Sequence, residues 1–412
     1  MNSRKNIIIL CSPTSDDFRN EMHRTKGMFF PPMGLLLVAQ TLKNSGYDVK
    51  LFDGNYDFNY KNKILDFVLR NQENIVFVGF YLAFLQIKDF LEIVNNIRGV
   101  NKSIKIIAGG PFSSAFPNLV LKNGMVDACC IGEGAKVSAE VAQNIVDDRS
   151  LEGISNIVFE SRDKFCPDKS RKRDTLNEHN RIFYENFLDV NSYADKFSLY
   201  LPRDYDKSIK RAMPILTGLG CSYKCAFCEN ALLGGSHISL SAENIVDQVS
   251  YYNDRFKIDS FAFFDEDFFI DKDRLFKLIE LLRNRKMKIK WGTQCRANYF
   301  NEKYINKSLL KDLEESGCVR LSIGIESGSP EILKKINKGI TPRQAILAAE
   351  QGKDSSIYFS YSFLVNLPGE TKKDLYMSFR LIDKLLSIKK NSFVSAIHYY
   401  FAYPGTPLSI EA

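Results

Sequence analysis

Gly218-Leu-Gly-Cys221-Ser-Tyr-Lys-Cys225-Ala-Phe-Cys228-Glu-Asn230 is the stretch from which the rest of the chain can be read. Its three cysteines are spaced CxxxCxxC, with Phe227 directly before the last. Thiolates at this spacing grip an iron–sulfur cluster. Four irons need four ligands, so a cluster held by three cysteines keeps one iron open to a small molecule. A structural zinc site wants four Cys or His ligands, and no fourth lies at zinc-finger spacing. The open iron points to an enzyme. Around the loop, an apolar run near 213–218 precedes it and an amphipathic run near 241–254 follows it. Strand, loop, helix is the order of an α/β unit with its chemistry at the carboxyl end of the strand.

The same alternation continues to the end of the chain. Strands are expected near 213–218, 259–264, 288–293, 319–325, 358–365 and 395–402, with helices near 241–254, 272–285, 307–316, 342–352 and 372–387. Ser241 and Asp271 stand where helix N-caps belong. Six strands and five intervening helices fall two units short of a closed eightfold barrel, so a partial (β/α)6 TIM barrel is expected over 206–412. Polar groups collect at its strand ends. Asp265-Glu266-Asp267 follows Phe261-Ala-Phe-Phe, where two carboxylates would be poorly placed in a core. Arg296 ends Trp291-Gly-Thr-Gln-Cys-Arg, as either a bidentate carboxylate holder or half of a structural ion pair. Cys295 alternates to the other face, into the core. Glu326 and Ser327 end Ser322-Ile-Gly-Ile-Glu-Ser-Gly, and an ionised carboxylate at so apolar a strand end needs partners. His237 and His398 are each either site residues or buried, hydrogen-bonded ones.

The front of the chain is a second α/β block. Strands are expected at Asn6–Cys11, Asp48–Asp53, Ile75–Tyr81, Lys105–Gly109 and Val126–Ile131, and helices near 32–45, 60–71, 85–98, 115–122 and 136–147. Runs of Ile and Val with little alternation read as parallel strands covered on both faces, hence a flavodoxin-like, Rossmann-type sheet over 1–150. Its turns include Pro31-Pro-Met-Gly34-Leu, Gly109-Gly110-Pro111-Phe112 and Gly132-Glu-Gly134, and glycine at a strand end lets backbone approach a ligand. Each turn also serves any tight α/β connection, and Phe112 packs either on a ligand or on the sheet. Residues 151–205 break the alternation and read as a linker with a small hairpin. Within it, Cys166 has no partner at ligand spacing, and the basic run 169–173 is a solvated loop or a phosphate contact.

Taken together, these motifs resemble the radical S-adenosylmethionine (radical SAM) family from end to end of the second block. The front block resembles the cobalamin-binding domain that precedes many of its members. The resemblance implies that Cys221, Cys225 and Cys228 hold a [4Fe-4S] cluster whose open iron chelates SAM. One electron then breaks a sulfur–carbon bond to give methionine and a 5′-deoxyadenosyl radical. It implies that Phe227 packs near adenine, unless it merely fills the loop, and that Asp265, Glu266 or Asp267 receives the methionine ammonium. Arg296 would hold the carboxylate, Glu326 and Ser327 the ribose and methionine, and the loop 364–371, Val365 included, the adenine. The family's Gly-Gly-Glu is replaced here by the acidic triplet. In front, Gly109, Gly110, Gly132 and Gly134 would border cobalamin. The Asp-x-His-x-x-Gly motif that supplies a histidine to cobalt in some relatives is absent, His23 standing in another context. The implied activity is methylation of an unactivated carbon or phosphorus in a small-molecule, natural-product or peptide substrate, with flavodoxin or ferredoxin as electron donor. The alternative is a cyclase, epimerase or rrearrangement enzyme whose cobalamin domain is auxiliary or vestigial. Methylthiotransferases carry a second cysteine triad in front, and Cys11, Cys129 and Cys130 do not make one.

Composition sets limits on the alternatives. A net charge of +7 spread over 412 residues suits a phosphate-bearing or acidic ligand but forms no stripe for nucleic acid. Nine cysteines, three of them in one loop, do not make a secreted disulfide framework. The apolar run Ile7–Cys11 is too short for a signal peptide, and no apolar stretch reaches membrane-spanning length. The expectation is a reduced, cytoplasmic protein.

Overall fold

The computed structural model describes residues 6–14, 30–83, 86–122, 125–159, 181–199, 209–231, 236–403 and 405–411. His23, Cys166 and the basic run 169–173 lie outside them. The chain divides into two compact units, Met1–Lys172 with Ile182–Tyr193, and Arg173–Arg181 with Ala194–Ala412.

The front unit is built on β1 (Ile7–Ser12), β2 (Asp48–Asp53), β3 (Ile75–Tyr81), β4 (Lys105–Gly109), β5 (Ala128–Cys130) and β6 (Ile157–Val158), in the order β2-β1-β3-β4-β5-β6. The first five run parallel, as unalternating runs such as Ile75-Val-Phe-Val-Gly-Phe-Tyr require when both faces are covered. Strand order reverses between β1 and β3, which places the ligand crevice at their carboxyl ends. Ile157–Val158, expected in the linker's hairpin, instead pairs antiparallel with β5. The helix expected at 115–122 is two short ones, Pro111–Ala115 and Pro117–Leu121. Each has its proline in the first turn, where no amide is needed, and Pro117 cannot continue the helix before it.

The second unit holds one six-stranded parallel sheet. It contains β7 (Ala212–Leu216), β10 (Ser260–Phe264), β11 (Lys290–Cys295), β12 (Cys318–Glu326), β13 (Tyr358–Val365) and β14 (Ser392–Tyr399), ordered β14-β13-β12-β11-β10-β7. A two-stranded antiparallel ribbon, β8 (Gly218–Leu219) with β9 (Ile238–Ser239), brackets the cysteine loop. Among the described residues, six helices of this unit begin at a side-chain cap: Ser241, Asp271, Asn306, Ser329, Thr341 and Thr371 each accept from a first-turn amide. A cap is worth about 1 kcal/mol, and it also fixes the loop that precedes it. Under the sheet, Trp291 stacks on Phe263 at 5.0 Å and donates its indole N–H to the Ser316 carbonyl at 3.0 Å. Cys295 is buried there, as its alternation demanded. β14 stops at Tyr399, short of the expected 402, because its partner β13 ends at Val365: Asn366 turns away with φ 62°.

Candidate functional site

The cysteine loop is pinned at both ends and in the middle. Gly220, at φ 80°, turns the chain into Cys221, and its amide donates to Glu266 Oε2 at 2.9 Å. Ala226 N donates to the Ile336 carbonyl at 2.8 Å, Asn337 Nδ2 to the Lys224 carbonyl at 2.8 Å, and Leu408 N to the Ala226 carbonyl at 3.0 Å. All three cysteines are free thiols, with Cys225 buried and Cys221 and Cys228 half-buried. Burial pushes the Cys221 thiol up to about 11 and raises Cys228, with the charge of Arg296 opposing the first and that of Lys338 the second. Thiols in so dry a place ionise when a metal takes the proton's position. Among the described residues, no three His, Cys, Asp or Glu side chains converge on a single ion. A cube-shaped cluster needs no such convergence, since each cysteine binds its own iron. The loop therefore fits a four-iron cluster.

Arg296 leaves the end of β11 and lies across the loop. Its guanidinium stacks on Tyr223 at 3.4 Å, reaches Cys225 Sγ at 3.8 Å and donates to the Lys338 carbonyl. Asn298 accepts from Arg296 Nε at 3.2 Å and donates to the Tyr223 hydroxyl at 2.8 Å. Arg296 makes no ion pair with the described residues. The acidic triplet divides its labour. Asp265, fully buried, accepts from Arg274 Nη2 at 3.0 Å and pairs with His237 Nε2 at 2.8 Å. Burial would raise its pKa, but the His237 hydrogen bond and the Arg274 charge hold it below the usual carboxylate range. Glu266 reaches the cysteine loop through Gly220. Asp267 accepts from the Tyr299 hydroxyl at 2.8 Å and lies 3.9 Å from Cys221 Sγ. Asp267 thus reaches a cysteine sulfur directly.

Glu326 ends β12 with φ 69°, buried, and its Oε1 accepts from Lys338 Nζ at 2.7 Å. Its Oε2 makes no hydrogen bond with the described residues. Gly324 makes the room, since a Cβ there would lie 2.5 Å from Glu326 Oε1 and 2.9 Å from Lys338 Nζ. The Lys338 ammonium sits 5.7 Å from the centre of the Phe227 ring. Phe227, Arg296 and Glu326 thus meet around one residue, Lys338, with Cys225 reached through Arg296. Ser327 is turned into the protein, accepting from Ser329 N at 3.1 Å and meeting Ser378 Oγ at 3.2 Å. The Val365 carbonyl already accepts from Tyr400 N at 2.8 Å. His398 lies on exposed β14, and His237 is committed to Asp265. Sequence reading missed Lys338, Tyr223 and Asn298. The one signal was the Asn337-Lys-Gly339 turn, whose flanking residues both take positive φ.

In the front unit the four glycines differ. A Cβ on Gly110 would strike the Leu82 backbone at 2.8 Å, so that glycine serves the turn itself. Gly109 and Gly134 would meet Cys130 and Val38 at 3.7 and 3.4 Å, ordinary to tight packing. Gly132, at φ 75°, has nothing within 4 Å of that position. Its open backbone at the end of β5 fits a large ligand lying against the strand ends, such as a corrin. Phe112, partly buried, packs on the hydrophobic core and against Phe116.

Two families match the chain: the Radical SAM superfamily over residues 215–382 and the B12 binding domain over residues 24–142. An uncharacterized methyltransferase of Pyrococcus horikoshii is 27% identical over 98% of this chain and 82% of its own length. The anaerobic magnesium-protoporphyrin IX monomethyl ester cyclase of Cereibacter sphaeroides is 22% identical over 85% of this chain and 56% of the cyclase. Among solved structures, the radical SAM methyltransferase TsrM of Kitasatospora setae, with cobalamin and a [4Fe-4S] cluster bound, superposes with a TM-score of 0.74 at 16% identity. That match covers 99% of this chain and 77% of TsrM, and it establishes a common fold.

Proposed function

The chain is a radical SAM enzyme with a B12-binding domain in front of its catalytic domain, and from that premise we propose that it is a cobalamin-dependent methyltransferase acting on an unactivated carbon or phosphorus of a small molecule or peptide. The observation that carries this reading is the gathering of Cys225, Phe227, Arg296 and Glu326 at the carboxyl edge of one sheet, in a chain whose front unit has an open strand end at Gly132. When bound, the cluster supplies the electron that cleaves SAM, and cobalamin serves as the carrier of the methyl group.

The protein's own share is placement. Cys221, Cys225 and Cys228 hold the cluster. Arg296, in no ion pair with the described residues and stacked on Tyr223, presents its guanidinium to the methionine carboxylate. Asp267 and Glu266, facing the loop, take the ammonium, which offers only donors. Asp265 braces the pair from behind. Glu326 offers Oε2 to the ribose hydroxyls, and Ser327 shapes the turn that aims it. Val365 and the loop to Thr371 border the adenine, while Gly132, with Gly109, Gly110 and Gly134 forming the turns around it, borders the corrin. Among the described residues no helix is long and apolar enough to cross a membrane, and we place the enzyme in the cytoplasm with a flavodoxin or ferredoxin as reductant.

A second reading, radical cyclisation, epimerisation or rearrangement, is supported by the similarity to the Cereibacter sphaeroides cyclase. One assay separates the two. Anaerobically reconstituted protein is reduced and given SAM, with and without hydroxocobalamin. Release of S-adenosylhomocysteine that depends on hydroxocobalamin supports methyl transfer. Release of 5′-deoxyadenosine alone, indifferent to hydroxocobalamin, favours the second reading.

A further inference from the structure

Lys338 belongs to none of the roles assigned above, yet it stands at their centre. Its side chain and that of Glu326 are 8% and 9% exposed, and their 2.7 Å contact is shut away from water. The ammonium has three donors and spends one, on Glu326; it makes no other hydrogen bond with the described residues. Its remaining surroundings include the ring of Phe227, the neighbour of Cys228. The residue is held there from both sides. Its amide donates to the Leu333 carbonyl at 3.0 Å, its carbonyl receives Arg296, and Asn337 and Gly339 flank it with φ 50° and 70°.

A buried ion pair is a poor brace, because desolvating both charges offsets most of their attraction and an apolar pair would hold the turn as well. This pair also demands a glycine at 324 and a left-handed backbone at Glu326, which non-glycine residues seldom adopt. Both demands make sense if the pair has a task. Electrostatic interactions are strong in a site that excludes water, and the potential of an iron–sulfur cluster follows its net charge and the donors near its sulfurs. A fixed cation beside the cysteine loop favours the reduced, more negative cluster. The same ammonium leaves one oxygen of Glu326 for ligand.

We propose that Lys338 is a positioning residue of this site: it aims Glu326 at SAM, and its charge makes the cluster easier to reduce. The proposal rests on the reading of the cysteine loop as a cluster site. The test is a potentiometric titration of the reconstituted holoprotein, followed by the electron paramagnetic resonance of the reduced cluster, together with calorimetry of SAM binding. K338M is expected to lower the equilibrium constant for reduction about tenfold, a midpoint about 59 mV more negative for a one-electron couple. It is also expected to weaken SAM binding, with K338R restoring both. Where K338M fails to fold around an unpaired Glu326, E326Q/K338M is compared with E326Q, and the same negative shift is expected. A K338M or E326Q/K338M cluster with unchanged potential and unchanged SAM affinity would overturn the proposal alone. A wild type that holds no cluster would overturn it together with the reading beneath it.

Discussion

Glu326 sits in a region of backbone space that costs a non-glycine residue about 1–3 kcal/mol, and its buried partner is one turn away in space rather than in sequence. Gly324 is the position where this arrangement can be tested with least disturbance. Gly324→Ala puts a methyl group into the Glu326–Lys338 contact, so SAM affinity measured by calorimetry should fall while iron content stays that of wild type. Unchanged affinity would mean that the pair has no bearing on ligand binding. A second isolated residue, Asp53, lies in the front unit, where its carboxylate accepts from the Tyr193 hydroxyl at 2.5 Å. Burial raises its pKa to about 6, the bond from Tyr193 opposing. An acid whose folded pKa is raised binds its proton more tightly when folded. Stability from this group is therefore present at low pH and lost as pH climbs from about 4 to about 6, by about 3 kcal/mol. Asp53→Asn should remove that loss, so its gain over wild type in urea unfolding should be larger at pH 7 than at pH 5. Equal gains at both would show that Asp53 keeps an ordinary pKa. At this scale the sequence was readable where chemistry depends on spacing, as in the cysteine loop. It was silent on Lys338, whose importance arises only when a turn after β12 folds back over the loop before β9.

The elements were legible because their signals were local and redundant. Apolar runs, caps at Ser241 and Asp271, and glycine turns each pointed the same way, and β2, β3, β4 and β13 run where the sequence placed them. The misses have physical causes. A proline split the 115–122 helix, the short β6 depends on its neighbour β5, and β14 ends where β13 turns away. What no pattern revealed is how an element's end is braced. Arg274, in the first turn of the helix Lys272–Asn284, spans Asp265, the Thr217 carbonyl at 3.1 Å and the Phe268 carbonyl at 2.7 Å. It ties β7, β10 and the helix together behind the acidic triplet. Removing one partner of a buried ion pair typically costs about 3–5 kcal/mol. Arg274→Met should lose that much stability in urea unfolding of the full chain. A loss under about 1 kcal/mol would leave His237 as the sufficient partner of Asp265.

Across the whole molecule, two units of the same α/β type carry different cofactor chemistry, and their cores share no cysteine of the 221–228 loop. Loading should therefore be separable. With Cys221, Cys225 and Cys228 all replaced by alanine, iron content should drop from about four per chain to background, while about one equivalent of hydroxocobalamin is still retained through gel filtration. Full iron in that variant would refute the cluster site; loss of cobalamin with the iron would show that the units load as one. His23→Ala should leave cobalamin retention unchanged. Among the described residues the sheet of the second unit is open rather than closed, with β14 at its edge and Ile397 and Tyr399 exposed to 47% and 72%. An exposed edge strand of this kind is a template for further strands from unfolded neighbours, so this edge is where aggregation is expected to begin. A single lysine at 399 should act as a gatekeeper: Tyr399→Lys should raise the soluble fraction on overexpression without touching iron or cobalamin content.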